Sequence, residues 1–257
     1  MISYIKIIFS FLLGLILGSF INVCLCRIPL KQSIIHPSSK CPQCGEKIRF
    51  YDNIPLISYI ALLGKCRHCR QPISIRYPIV ELLMGFLSIA LFNRYHLSYQ
   101  YFLFLIFSTS LVIIGLIDLR HQIIPDIISL PGILFGLAVS IIFSHITWYD
   151  SLIGIIGGGG VFYLVAYVFE RLTGKEGMGG GDIKLLAMIG AWMGWKAVPF
   201  VILFSSLIGI IIGGGSLLLL RQGLQTKIPF GPFLALGALL YLFFGSDFVS
   251  WYFRLLF

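Results

Sequence analysis

The sequence predicts an all-α polytopic membrane protein with about eight transmembrane helices and a cysteine-rich loop between helices 1 and 2. Three observations lead to this prediction. Only 11% of the residues are charged and 58% are hydrophobic, whereas a soluble domain has about 25% charged residues. Apolar segments near the length of about 20 residues that crosses a bilayer recur along the chain. Four cysteines form two pairs within one polar stretch.

The apolar segments define the helices in order. The first span is free of charged residues, and the last residues, 249–257, combine aromatic and basic side chains that suit a membrane interface rather than a ninth span. A secretory signal peptide is less favoured at the N-terminus, because the run is as long as a full span and no small-residue cleavage motif follows it. The eight predicted spans are residues 7–26, 79–92, 101–117, 127–146, 152–169, 185–195, 197–220 and 230–244.

The loop over residues 27–77 is strongly basic and orients the chain. It holds nine Lys or Arg and only two acidic residues, and basic loops remain on the cytoplasmic side. With eight spans, fifteen of the nineteen Lys and Arg residues fall on that side. Contact with anionic lipid headgroups explains this charge, so we expect a lipid bilayer as partner and no nucleic acid.

Two pairs of cysteines lie in this loop, Cys41 with Cys44 and Cys66 with Cys69, and 21 residues separate the pairs. Two C-x-x-C pairs at such a distance resemble a zinc ribbon, in which four thiolates close a tetrahedral site. Two disulfides or four unrelated thiols are the alternatives, and a reducing cytoplasm disfavours the disulfides. We therefore expect a structural Zn²⁺ that folds a loop too small to bury a core.

The other potential ligands near the cysteines receive structural interpretations. His68 lies inside the second pair, and we expect it to be solvated because four thiols already satisfy the ion. Cys24 and Cys26 lie in the first span, where we expect small buried apolar side chains.

Two carboxylates, Asp118 and Asp182, lie at the same membrane boundary. Asp118 ends the third span and Asp182 begins the sixth, 64 positions later. Ionisable groups at such depth are functional candidates, and two adjacent carboxyl groups can share one proton, as peptide hydrolysis by an aspartyl mechanism requires. The glycines before Asp182 lack a Cβ, so the backbone there can adopt positive φ angles and approach an extended substrate closely.

Structural interpretations compete with this one. Each aspartate alone can be a helix-end charge paired with headgroups, Arg120 or Lys184. Asp126 is predicted to be the N-cap of the fourth span, and Glu81 stays undecided. The glycine runs at 157–160 and 213–215 are predicted to serve close helix packing.

Taken together, these motifs resemble those of the type IV prepilin peptidases over nearly the whole chain. The residues that carry the resemblance are Gly18-Ser19-Phe20-Ile21-Asn22-Val23, the cysteine pairs around Asp52-Asn53-Ile54-Pro55, Tyr77-Pro78, Glu81-Leu82-Leu83, Asp118, Ile124-Pro125-Asp126, Gly179-Gly180-Gly181-Asp182 and Pro229-Phe230-Gly231-Pro232-Phe233.

The resemblance implies cleavage of a short basic leader from prepilins or pseudopilins at the cytoplasmic face of the bacterial inner membrane, with Asp118 and Asp182 as the catalytic pair. It also implies methylation of the new N-terminus with S-adenosylmethionine, although the sequence contains no Gly-rich βα motif for that cofactor and indicates no binding residues for it. The implied division is a first helix (1–26), a cytoplasmic zinc-binding loop domain (27–77) and a membrane peptidase domain (78–257).

Two rival functions remain. A transporter also uses intramembrane carboxylates and glycine-broken helices, but it predicts carboxylates near mid-membrane and an internal repeat, neither of which the sequence indicates. A membrane scaffold that binds a partner through the zinc loop makes both aspartates dispensable.

Overall fold

The computed structural model describes residues 2–36, 38–174, 179–214 and 229–256. Within these ranges the chain is helical apart from turns and two isolated β-bridges, Lys40 with Lys47 and Lys65 with Pro72. Contacts divide the chain into two compact units, residues 1–109 and 110–257. The all-α prediction is confirmed over the described residues, and the three-part division proposed from the sequence stays a prediction.

The first unit consists of two long helices, a long connecting loop (residues 28–75) with little regular structure, and the beginning of a third long helix. Its elements are α1 (Ile2–Arg27), a 3₁₀ turn (Phe50–Asn53), α2 (Ile57–Ala61), α3 (Arg76–Tyr95) and the first half of α4 (Tyr99–His121).

Helices α1 and α3 pack closely because α1 carries glycine at two positions four residues apart. A Cβ at Gly18 would lie 2.5 Å from the Cα of Glu81, and one at Gly14 would lie 2.7 Å from the Cβ of Ser88. Such small-residue contacts let helix backbones approach in a bilayer. This crossing brings Glu81 beside the C-terminal part of α1.

A buried cluster of hydroxyl groups joins the same helices to α4. The Ser10 hydroxyl lies 2.9 Å from that of Tyr101, and the Ser88 hydroxyl lies 2.7 Å from it. All three residues are fully buried. Hydrogen bonds between helices stabilise membrane bundles where water is absent.

The second unit surrounds one short helix, α8. Nine consecutive residues of α8, from Leu185 to Met193, are buried. Helices α5, α6, α9 and α10 all contact it. The elements are the end of α4, α5 (Asp126–Phe143), α6 (Trp148–Ile155), a π-helical turn (Ile156–Gly160), α7 (Val161–Thr173), α8 (Gly180–Met193), α9 (Ala197–Ile208), a second π-helical turn (Gly209–Gly214) and α10 (Gly231–Leu256).

Glycines permit the close packing around α8. A Cβ at Gly158 would lie 2.6 Å from the Leu186 carbonyl oxygen, and one at Gly159 would lie 3.0 Å from the Ala187 Cβ. The packing interpretation of the 157–160 run is confirmed at these two positions. Gly157 has nothing within 4 Å of its Cβ position. In the second run, Gly215 lies outside the described residues.

Five helices among the described residues are long and apolar enough to cross a membrane, so the eight predicted spans are not all confirmed. The sixth predicted span lies in α8, whose 14 residues rise only about 21 Å, less than the hydrocarbon thickness of about 30 Å. The seventh extends into residues 215–220, outside the described ranges. The five are Tyr4–Arg27, Arg76–Tyr95, Tyr99–His121, Asp126–Phe143 and Trp148–Thr173, and two shorter apolar stretches are Ala197–Ile212 and Gly231–Gly245.

Exposed apolar side chains on these helices indicate contact with lipid. On α1, Ile8, Leu12 and Ile16 recur every four residues and are each at least half exposed. Such a stripe would be costly in water but matches the acyl chains of a bilayer. The chain is therefore a multi-pass membrane protein.

Candidate active site

Asp118 is a buried carboxylate near the C-terminal end of α4. Its side chain is only 5% exposed, and the backbone N–H of Gly231 donates a hydrogen bond of 3.0 Å to its Oδ2. This bond joins the end of α4 to the start of α10. It fixes the orientation of the carboxyl group.

Only glycine fits at position 231. A Cβ there would lie 2.6 Å from Oδ2 of Asp118 and 3.2 Å from Cδ1 of Ile124. Gly231 is the first residue of α10, where backbone N–H groups have no partner within the helix. This glycine belongs to the Pro-Phe-Gly-Pro motif, but the motif by itself predicted no role for it. The sequence feature that could have indicated this close contact is a glycine directly before Pro232 at the start of a helix.

Asp182 lies in the first turn of α8, in the same unit as Asp118. It is half-buried. Ile124 lies close to the backbone at two glycines, because a Cβ at Gly181 would lie 2.9 Å from its Cβ and a Cβ at Gly231 would lie 3.2 Å from its Cδ1. The two aspartates, 64 positions apart, therefore lie in one unit, each beside a glycine that Ile124 approaches.

The glycines at 179–181 do not adopt the positive φ angles that they permit. Gly179 has φ −66° and ψ 131° as the N-cap of α8, and the described glycines with positive φ lie elsewhere in the chain. At Gly181 the physical reason for glycine is the approach of Ile124, which leaves no room for a side chain. Gly180 faces open space.

Asp126 serves a structural purpose, but not the predicted one. The N-cap of α5 is Pro125 and Asp126 is the first helical residue, without a side-chain cap. Its carboxylate instead accepts hydrogen bonds from Lys184 at 2.7 and 2.9 Å. This exposed ion pair joins the start of α5 to the start of α8, and it occupies the lysine that was considered as a partner for Asp182.

The four loop cysteines converge on a second candidate site. Their Sγ atoms all lie within 4.8 Å of one another, and those of Cys41 and Cys69 are 3.9 Å apart. Four thiolates at Zn–S distances of about 2.3 Å in a tetrahedron would be about 3.8 Å apart. All six cysteines of the chain are free thiols, so the structure contains no disulfide. The cluster can hold a metal ion.

The two cysteine turns repeat one local structure. In the first, the Gly45 N–H donates to the Cys41 carbonyl at 2.9 Å; in the second, Arg70 donates to Cys66 at 3.1 Å. Both donors have positive φ, 73° at Gly45 and 58° at Arg70. The first cysteine of each turn therefore lies in the same local backbone structure.

Backbone N–H groups favour the thiolate form of these first cysteines. The N–H of Cys44, followed by that of Gln43, lowers the pKa of Cys41 to about 7. The N–H of Cys69, followed by that of His68, lowers the pKa of Cys66. Because the thiolate is the metal ligand, this arrangement fits a zinc site.

Neighbouring residues brace the second turn. Arg67 donates hydrogen bonds to both carboxylate oxygens of Asp52, at 2.6 to 3.2 Å, and this guanidinium lowers the pKa of Asp52.

His68 is exposed and lies outside the sulfur cluster, as expected. Cys24 is buried as predicted, but the buried prediction for Cys26 was wrong, because its thiol is exposed 4.0 Å from the Tyr77 hydroxyl.

Glu81, undecided from the sequence, belongs to the first unit. It is 7% exposed, and its Oε2 accepts the N–H of Leu56 at 2.9 Å. Leu56 has φ 58° and ψ −47°, an unusual conformation for a residue with a side chain. Such backbone strain persists only where the surroundings hold it, and no sequence pattern signals it at a leucine.

Comparison with known proteins assigns the chain to a family. The bacterial peptidase A24 N-terminal domain matches residues 12–95, and the type IV leader peptidase family matches residues 105–214. A prepilin leader peptidase/N-methyltransferase of Aeromonas hydrophila is 39% identical over 94% of this chain and 92% of its own length. The chain belongs to the type IV leader peptidase family. The corresponding protein of Pseudomonas putida is 37% identical over 91% and 89% of the two chains, and that of Pseudomonas aeruginosa is 39% identical over 95% and 92%.

The two family regions divide the candidate sites between them. The N-terminal region contains the cysteine cluster and Glu81, while the leader peptidase region contains Asp118 and Asp182 and ends before Gly231. No solved structure matches the chain.

Proposed function

We propose that this chain is an aspartic endopeptidase that removes the short basic leader from type IV prepilins and pseudopilins. Membership of the leader peptidase family supports the reaction class. The single observation that carries the assignment to residues is the geometry of the second unit, in which Ile124 lies close to both Gly181, next to Asp182, and Gly231, which binds the buried Asp118.

The two carboxyl groups divide the proton transfers of peptide hydrolysis. One, as the carboxylate, accepts a proton from the attacking water, while the other, protonated, polarises the scissile carbonyl and then donates to the leaving amine. The hydrogen bond from Gly231 holds Asp118 in position for either role. Individual roles are not assigned to the two residues.

The substrate arrives from the cytoplasmic side of the bacterial inner membrane in this proposal. The basic loop that contains the cysteines supports that orientation under the positive-inside rule. Cleavage immediately before a hydrophobic substrate helix requires catalytic groups at the membrane boundary, which is where Asp118 ends its predicted span.

The four cysteines are proposed to bind one structural Zn²⁺. A complete set of four protein ligands leaves no open position for water or substrate, so the ion stabilises the fold of the loop and takes no part in hydrolysis. The loop buries few apolar side chains, which makes metal binding its main source of stability.

N-methylation of the new N-terminus is the second proposed activity, because the similar proteins are named N-methyltransferases. S-adenosylmethionine would supply an electrophilic methyl group on sulfur. A cavity of about 450 Å³ in the first unit, lined by α1, α3 and the cysteine loop, lies within the size range of small-molecule sites.

The test of the peptidase assignment is leader cleavage by membranes that contain Asp118→Asn or Asp182→Asn at wild-type abundance. Each amide preserves the shape of the side chain and removes its proton chemistry, so we expect cleavage to fall by at least about 10³-fold in both variants. Asp126→Asn is the matched control and should retain cleavage, because it loses only an exposed ion pair worth about 1 kcal/mol or less. Near-normal cleavage by either active-site variant would refute the two-aspartate mechanism.

A further inference from the structure

The cavity of the first unit has one buried acidic residue at its inner end. Glu81 and Asn22 line it there, each only 7% exposed. Its exposed lining residues include Lys40, Lys47 and Glu46. The cavity therefore places a buried negative group between α1 and α3, away from the exposed charges of the loop.

Glu81 is buried without a cationic partner. Its carboxylate accepts hydrogen bonds from the Leu56 N–H and the Ser19 hydroxyl, which are both neutral donors. In the described ranges, the ion pairs are Asp52 with Arg67 and Asp126 with Lys184. Buried glutamates are rare unless paired, so this one has a reason other than packing.

Both buried polar side chains retain capacity to accept hydrogen bonds. A carboxylate offers about four acceptor positions, and two neutral donors use only part of them. Asn22 donates its amide N–H to the Tyr77 carbonyl at 3.1 Å, which leaves its Oδ1 as an acceptor. Acceptors without donors at the end of a cavity select a ligand that is cationic and rich in N–H groups.

We propose that Glu81 binds the α-ammonium group of the processed substrate at the inner end of this cavity, with Asn22 as a second acceptor. This inference rests on the proposed N-methylation and identifies where the amine is held. A primary ammonium carries three N–H donors, which match the acceptors of Glu81 and Asn22. The location also suits a peptide whose N-terminus immediately precedes a membrane helix.

The same contact prepares the amine for methylation. An ammonium has no lone pair, so it first transfers one proton to the Glu81 carboxylate and becomes a neutral amine. When a sulfonium methyl donor is bound, the nitrogen lone pair forms the new N–C bond while the electron pair of the C–S bond stays on sulfur as a neutral thioether. Glu81 then releases its proton to water, and the product is a secondary ammonium.

The first experiment measures peptide binding without a methyl donor. Full-length protein in lipid nanodiscs is titrated with a peptide of a mature pilin N-terminus, either with a free α-amine or N-acetylated. We expect the wild type to bind the free amine roughly tenfold to 100-fold more tightly, the range for a hydrogen bond to a charged group. Glu81→Gln should lose this preference, because it keeps an acceptor for the Leu56 N–H but loses the charge.

Glu46→Gln is the matched control, since Glu46 lines the exposed end of the same cavity and should leave the preference unchanged. Zinc content and leader cleavage at wild-type levels verify that Glu81→Gln is folded. Should it fail to fold, Glu81→Asp keeps the charge on a shorter side chain and must retain a preference for the free amine. An unchanged preference in Glu81→Gln, or none in a folded Glu81→Asp, would overturn the inference.

Methyl transfer to the same pre-processed peptide separates this inference from the proposed function. We expect methylation by the wild type and at least a tenfold loss in Glu81→Gln. A wild type that cleaves leaders but never methylates the peptide contradicts the second proposed activity itself. A wild type and a Glu81→Gln variant that methylate equally contradict only the role of Glu81.

Discussion

At the scale of single residues, the site around Asp118 depends on the absence of a side chain at position 231. The Gly231 N–H approaches the carboxylate to 3.0 Å, and any Cβ there would lie 2.6 Å from the same oxygen. The hydrogen bond and the lack of room for a side chain thus both follow from the close approach of the Gly231 backbone to Asp118. The Asp118 carboxylate and its donor Gly231 must therefore be considered together.

Gly231→Ala should therefore reduce leader cleavage by about 100-fold, the cost of displacing a catalytic group by about 1 Å. Gly115→Ala is the control, because its Cβ would lie 3.4 Å from that of Ala235, an ordinary contact between the same two helices, α4 and α10. Cleavage rates of both variants, measured at equal abundance in membranes, test this. Equal rates in the two variants would show that Gly231 does not position Asp118.

At the scale of helices, close packing positions Asp182. Helix α8 is buried over nine residues. The π-helical turn Ile156–Gly160 packs directly against its backbone, at Leu186. Because α8 carries Asp182 in its first turn, whatever displaces this helix also displaces the carboxylate. Glycines far from the chemistry thus contribute to the geometry of the site.

A comparison of Gly158→Ala with Gly157→Ala separates the effect of packing against α8 from the effect of helix propensity. The Cβ at 158 would lie 2.6 Å from a backbone oxygen, and such overpacking costs typically 1 to 3 kcal/mol. The Cβ at 157 meets nothing within 4 Å, so alanine there should stabilise by roughly 0.5 kcal/mol or more. Thermal unfolding in detergent measures both, and a Gly158→Ala protein as stable as Gly157→Ala would contradict the packing account.

At the scale of the whole molecule, the two candidate sites lie in different compact units. The cysteine cluster and Glu81 belong to residues 1–109, and the two aspartates belong to residues 110–257. The contacts of the second unit are dominated by helix packing around α8, whereas the cysteine loop has little buried apolar surface. The two units should therefore respond differently to loss of metal.

Removal of zinc should unfold the loop and leave the second unit intact. A chelator, or Cys44→Ser, is expected to abolish stoichiometric zinc and to expose residues 38–74 to trypsin, because metal binding supplies most of the loop's folding free energy. Cys26→Ser is the control, since Cys26 lies outside the cluster and should retain both zinc and protection. Protection of the loop without zinc would contradict a structural metal.

The sequence by itself determined the all-α membrane class and the two cysteine pairs, and it led to the proposal of Asp118 and Asp182 as the catalytic pair, because composition, spacing and family motifs are local properties of the chain. It did not determine how many apolar segments form helices long enough to cross the membrane. Helix α8 is apolar but short, and it is buried against neighbouring helices of the protein. Nor did the sequence predict the Asp126–Lys184 ion pair, because those two side chains are 58 positions apart and meet only when α5 and α8 pack.

Tertiary structure alone decided which groups meet at each site. The contact of Gly231 with Asp118 spans 113 positions, and that of Leu56 with Glu81 spans 25. Steric exclusion also follows from the approach of other residues, Ile124 at Gly181 and the Asp118 carboxylate at Gly231, and not from the conformational freedom of the two glycines. Such contacts depend on distances between helices, which no local pattern of residues contains.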